Sequence, residues 1–113
     1  MAVDDDLNSR FLVASEGLGP FEERKMMGGM CYMLNGHLLC KAERTKTGDR
    51  RYMFRVGKEN EAAALGRPGA APAMHGMRKL GGLVFVDEAT CDRHALRGWI
   101  TMAQGFVATL DPK

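Results

Sequence analysis

The chain has 113 residues, 45% hydrophobic and 27% charged, a balance that fits a globular fold and excludes a disordered or fibrous one. A length of this order makes one domain the expectation, with roughly two-thirds of the unfolded chain's surface buried on folding. Basic residues number 16 and acidic residues 14, so the net charge of +2 gives little electrostatic footprint for a phosphate backbone, and direct contact with nucleic acid is not expected.

At the amino end Asp4, Asp5 and Asp6 stand where a secretory leader would carry positive charge. No apolar stretch approaches the length needed to cross a bilayer. The expected compartment is therefore the cytoplasm, without membrane contact. Residues 6–15 predict a short helix with Leu7, Phe11 and Leu12 on one side, ended by Gly17-Leu18-Gly19-Pro20. A first strand is expected over 26–34 and a second over 37–43, hinged on Asn35-Gly36. That pair is the strongest short hairpin signal, because both turn positions need φ > 0.

Residues 45–49 are polar and contain Gly48, which predicts a turn. Residues 51–56 alternate, with Tyr52, Phe54 and Val56 on one side, the period of a half-buried strand. Helix-forming Glu and Ala over 59–65, followed by Gly66, predict a short helix. Pro68, Gly69 and Pro72 make 67–76 an irregular connection. A weak strand over 77–80, the Gly81-Gly82 pair and a buried strand over 83–86 follow. From 91 to 110 the apolar residues recur at three and four, through Leu96, Trp99, Ile100, Ala103 and Val107, which predicts a long helix with Thr90 as its N-cap.

The run from Arg24 to Cys40, then Arg55-Val56-Gly57 opening an acidic helix, then Ala64-Leu65-Gly66-Arg67-Pro68-Gly69-Ala70, then Leu83-Val84-Phe85-Val86-Asp87 and the Trp99-containing last helix together resemble the TfoX N-terminal-domain family. The resemblance spans about 24–113, and the combination makes it specific. It implies an α+β fold, a two-layer sandwich like the secretion chaperones, with an antiparallel sheet of about five strands and helices on one face. It also implies a regulatory domain of the kind found in competence regulators, without an established active site. Those regulators carry a second, C-terminal domain, which these 113 residues are not expected to include.

A two-residue loop at Asn35-Gly36 sets Met33 opposite Leu38, Tyr32 opposite Leu39 and Cys31 opposite Cys40. At that position Cα atoms approach within about 4.5 Å, close enough for a disulfide, so Cys31 and Cys40 form a possible redox pair. The competing expectation is two packed thiols in a reducing cytosol, and the odd count of three cysteines, without CxxC spacing, reads as reduced thiols rather than a disulfide framework.

The same register makes both faces of the hairpin apolar. An antiparallel sheet normally shows water a polar second face, so a covering partner is expected. Met30, Tyr32, Met33 and Leu38 are the candidate interaction surface, and the partner is a second copy or another cytoplasmic protein. Thioethers and thiols at Met26-Met27, Met30-Cys31, Met33 and Met74-His75 raise a Cu(I)- or small-molecule-binding module as the alternative. No spacing fixes a metal site, and no cofactor is expected.

His37, His75 and His94 lie in unrelated contexts, and neither HExxH nor GxSxG occurs, so no catalytic residue emerges. An enzyme with a cleft along 67–82 is the third possibility. Basic residues between Arg44 and Lys58 are interleaved with Glu43, Asp49 and Glu59 and suit a solvated loop. The expected function is a non-enzymatic interaction or regulatory domain acting through its sheet surface.

Overall fold

A computed structural model describes residues 3–113. The architecture is α+β, two layers deep, with one open antiparallel sheet of six strands and three helices on one face. In chain order the elements are α1 (Asp5–Ala14), β1 (Glu22–Met26), β2 (Gly29–Leu34), β3 (His37–Arg44), β4 (Arg50–Arg55), α2 (Glu61–Leu65), β5 (Ala70–His75), β6 (Arg78–Asp87) and α3 (Arg93–Val107). Strands lie in the order β1-β2-β3-β4-β6-β5, so the β5–β6 hairpin folds back to set β6 against β4. No helix among the described residues is long and apolar enough to cross a membrane.

The sheet has one strand more than expected: β1 and β5 are additional, while the two strands expected over 77–80 and 83–86 are one, β6, which runs through Gly81-Gly82. Met27 (φ 54°) and Gly28 (φ 76°) both adopt the left-handed region, as Asn35 (φ 54°) and Gly36 (φ 83°) do. The strand expected over 26–34 therefore starts only at Gly29, as β2, and the residues before this turn form the unexpected partner β1, one tight turn before the Asn35-Gly36 turn. The expected irregular connection over 67–76 is largely strand β5. Its Pro72 is tolerated because β5 is an edge, pairing only with β6 and bulging between Pro72 and Met74. Charge fills the other edge, where β1 reads Glu-Glu-Arg-Lys-Met, so neither edge invites another strand. At the last helix, Asp92 is the N-cap in place of Thr90, its Oδ1 accepting from the Ala95 N–H at 2.7 Å. The Thr90 hydroxyl instead donates to the Asp87 carbonyl at 2.8 Å.

The core lies between the helices and the face of the sheet that carries Tyr32, Tyr52, Phe54, Val84 and Val86, all fully buried. Phe11 of α1 stacks on Tyr32 with ring centroids 3.6 Å apart, and Trp99 of α3 stacks on Phe54 at 5.7 Å. Burying a tyrosine obliges it to find a partner for its hydroxyl. Both core tyrosines find it on α1, Tyr52 donating to the Leu7 carbonyl at 2.7 Å and Tyr32 to Asn8. Asp4 caps α1 from a β-region backbone, accepting the Leu7 N–H at 3.0 Å, and also pairs with Arg50 at 3.1 Å. Arg10 extends the tie, donating to the Glu88 carboxylate at 2.7 Å and to the Cys91 carbonyl at 2.6 Å.

Candidate functional site

The register of the β2–β3 hairpin decides the fate of the residues singled out from sequence. Beyond Met33↔Leu38 the ladder shifts by one, with Tyr32 opposite Cys40 and Cys31 opposite Lys41, so Leu39 is the extra residue of a bulge. Cys31 and Cys40 thus do not face each other as expected. Cys40 joins the core beneath the helices, whereas Cys31 lies on the opposite face, its thiol directed to the Met26 carbonyl at 3.6 Å. Burial pushes the Cys40 thiol well above its ordinary value and raises that of Cys31, and Cys91 is pushed up to about 11 by the same cause.

The expected interaction surface is likewise divided. Tyr32 is fully buried and Met30 is 8% exposed, both under the helices, so neither is a surface residue. Met33 and Leu38 lie opposite each other on the other, open face, but Met33 is only 7% exposed, so of the four expected surface residues only the half-buried Leu38 reaches solvent. That face is not the bare apolar surface that an unbulged hairpin predicts. The bulge turns Lys41 and Glu43 outward, where Glu43, fully buried, pairs with Lys41 at 3.6 Å and with Arg51 at 3.3 Å. The Arg51 guanidinium in turn lies 3.7 Å from the centre of the Phe85 ring. Long side chains with apolar stems seal the face from within. The sulfurs proposed for Cu(I) are also distributed, Met30 facing the helices and Cys31 the open side. Among the described residues no three His, Cys, Asp or Glu side chains converge as a metal site would require.

A groove of about 1160 Å³ opens elsewhere, between the outer side of α3 and the segment where β4 leads into the turn before α2. Local backbone demands create it. Gly57 has φ 85°, and a Cβ there would overlap the Phe106 ring, so only glycine lets the β4 exit pass so close to α3. The Gly82 carbonyl accepts from both the Val56 and Gly57 N–H groups, at 2.9 and 3.1 Å, which ties the bend in β6 to the same point. The side chain of Lys58 passes over Gly81. On the helical wall Gly98, Thr101 and Gly105 keep part of the α3 surface low, while Arg97, Met102 and Phe106 line it as well.

Charge enters from the rim. Arg67 sets its guanidinium 5.0 Å from the centre of the Trp99 ring, and Arg55 sets its own 5.9 Å from that of Phe106. Among the described residues Arg55, Lys58 and Arg67 pair with no carboxylate, and Glu59 is the one acid lining the groove. Arg97 is committed elsewhere, donating to the Ala14 and Glu16 carbonyls at 3.0 and 2.7 Å, where its charge also suits the carboxyl end of α1.

Nucleophilic and acid–base chemistry have little to work with here. The Thr101 hydroxyl donates to the Arg97 carbonyl within α3, that of Thr109, in the turn after α3, donates to the Phe106 carbonyl, and the His94 side chain has no hydrogen-bond partner among the described residues. What the arrangement can do is hold an anion, with two pre-positioned planar guanidinia and a lysine. Sequence reasoning missed this site because its cations come from segments far apart. Of the basic residues grouped between Arg44 and Lys58, Arg50 serves α1, Arg51 the open face, and only Arg55 and Lys58 the groove. No family model, curated protein or solved structure matches the chain.

Proposed function

We propose that the chain is a non-enzymatic binding domain that acts by protein–protein contact in the cytoplasm, in the manner of a regulatory domain of TfoX N-terminal type, and that its contact surface is the groove along α3. The single observation that carries this reading is an open groove in which two guanidinia lie over aromatic rings. A guanidinium already laid on a ring loses little freedom when a carboxylate arrives, which favours an acidic partner. The volume exceeds the several hundred Å³ typical of small-ligand pockets, and the groove is open along its length, as a macromolecular contact requires.

Nuclear magnetic resonance with the isotopically labelled chain tests the reading. Titration with an oligo-glutamate peptide is expected to shift the amides of Gly57, Gly81, Gly98 and Gly105, and an oligo-lysine peptide to leave them in place. Shifts confined to the open face around Met33 and Leu38, or none at all, would overturn it.

A further inference from the structure

We infer that the tip of the β5–β6 hairpin is a second part of the contact surface, an anchor that seats the Met77 thioether in apolar surface of the same acidic partner; the inference rests on the groove's being the binding surface. The pairing of β6 with β4 stops at Arg55↔Leu83, and from there to the turn β6 has only β5 beside it, with Met74 opposite Lys79 and His75 opposite Arg78. The root of this arm is packed, since Ala73 is fully buried and the Lys58 side chain crosses Gly81. Its tip is bare. Met77 is 97% exposed and Met74 40%, and a Cβ on Gly76, at φ 61°, would meet nothing within 4 Å. One exposed apolar side chain is ordinary on a protein surface, but two thioethers within four residues at the end of an arm make a flexible, adaptable contact.

Charge and position both tie the tip to the groove. No acidic residue occurs over 62–86, a stretch that holds Arg67, His75, Arg78 and Lys79. Of its three permanent cations only Lys79 pairs with a carboxylate among the described residues, Glu61 at 3.5 Å. The arm thus continues the positive surface begun by Arg55 and Lys58, and complements the same acidic partner. Gly81 and Gly82 of β6 line the groove, and Met77 lies four residues before Gly81, about 13 Å at roughly 3.3 Å per residue. A partner with its acidic run in the groove brings residues some four positions beyond that run within reach of Met77. A lipid surface is the weaker fit, because membrane-surface anchors set Trp or Tyr at the headgroups, whereas Trp99 is 2% exposed and both tyrosines are fully buried.

The probes are an oligo-glutamate peptide with leucine four residues beyond each end of the acidic run, and the same peptide with serine at those two positions. Calorimetric titration gives the affinities, and the ε-methyl resonances of methionine-labelled protein show which thioether is touched. The leucine peptide is expected to bind about tenfold more tightly than the serine peptide and to shift the Met77 methyl. Met77→Gln is expected to make the two peptides equal, at the serine peptide's affinity, with an unchanged unfolding midpoint because the side chain touches so little. Arg55→Gln is expected to weaken both peptides alike, by several-fold. Equal binding of the two peptides to the parent, or a leucine advantage that survives Met77→Gln, would overturn the anchor and leave the groove an acidic-peptide site. A Met77 methyl moved by phosphatidylserine vesicles or duplex DNA and not by the leucine peptide would overturn it in favour of those ligands. Binding of neither peptide would remove both the anchor and the reading on which it rests.

Discussion

Asp4 concentrates several forces on one carboxylate. Burial by itself raises its pKa, but the Leu7 N–H, the Arg50 hydrogen bonds and the charges of Arg50 and Arg44 together outweigh burial and hold it below its ordinary value of 3.8. A depressed carboxylate contributes stability that is present above its unfolded pKa and lost as pH falls through the folded one. Asp4→Asn is therefore expected to cost about 1–2 kcal/mol near neutrality, through the weakened cap and the lost ion pairs, and markedly less at about pH 3. Urea unfolding of both proteins at the two pH values measures this, and a difference that does not shrink in acid would contradict it. The three thiols make the opposite case, inert by environment. With Cys31 and Cys40 on opposite faces and all three pKa values raised, the folded protein is expected to react slowly with a thiol reagent and the unfolded chain to show three free thiols even after mild oxidation. Loss of two thiols as an internal bridge would show the register to be wrong.

At the scale of elements, helices, turns and strands differ in how plainly the sequence announces them. The three helices declare themselves by period and by Gly breakers, and the Asn35-Gly36 turn by its chemistry. Met27-Gly28 escapes, because methionine seldom takes φ > 0 and nothing in its composition advertises that it does so here. The bulge at Leu39 was legible in principle. Lys41 and Glu43 share sequence parity with Leu39, so strict alternation would have put two charges under the helices, and one extra residue is the least change that avoids it. The groove was not legible, since Arg55, Arg67 and the α3 wall meet only through the close passage at Gly57. That passage gives a direct test. Gly57→Ala adds a Cβ against Phe106 at a positive φ and is expected to destabilise by roughly 1–3 kcal/mol, read from the shift in unfolding midpoint. Stability unchanged by that substitution would mean that α3 is not held where the groove requires it.

For the whole molecule, the two exposed edges of the sheet limit how it can associate. Charge on β1 and Pro72 with its bulge on β5 leave the faces and the groove, and not strand addition, as routes to a partner. Replacing Pro72 by threonine is expected to change stability little and to promote self-association at high concentration, visible in light scattering. A variant that stays as dispersed as its parent would show that other features guard this edge.

The ties that hold α1 carry one more consequence, for the order in which the molecule can be made. Its carboxyl end is grasped by Arg97, which lies 83 residues further along the chain than Ala14. On the ribosome, at roughly 5–20 residues per second, α1 waits on the order of 5–15 seconds for its clasp to be synthesised. Through that interval Leu7 and Phe11 have no finished core to enter. During synthesis the stretch that forms α1 should be the one most in need of a chaperone's shelter.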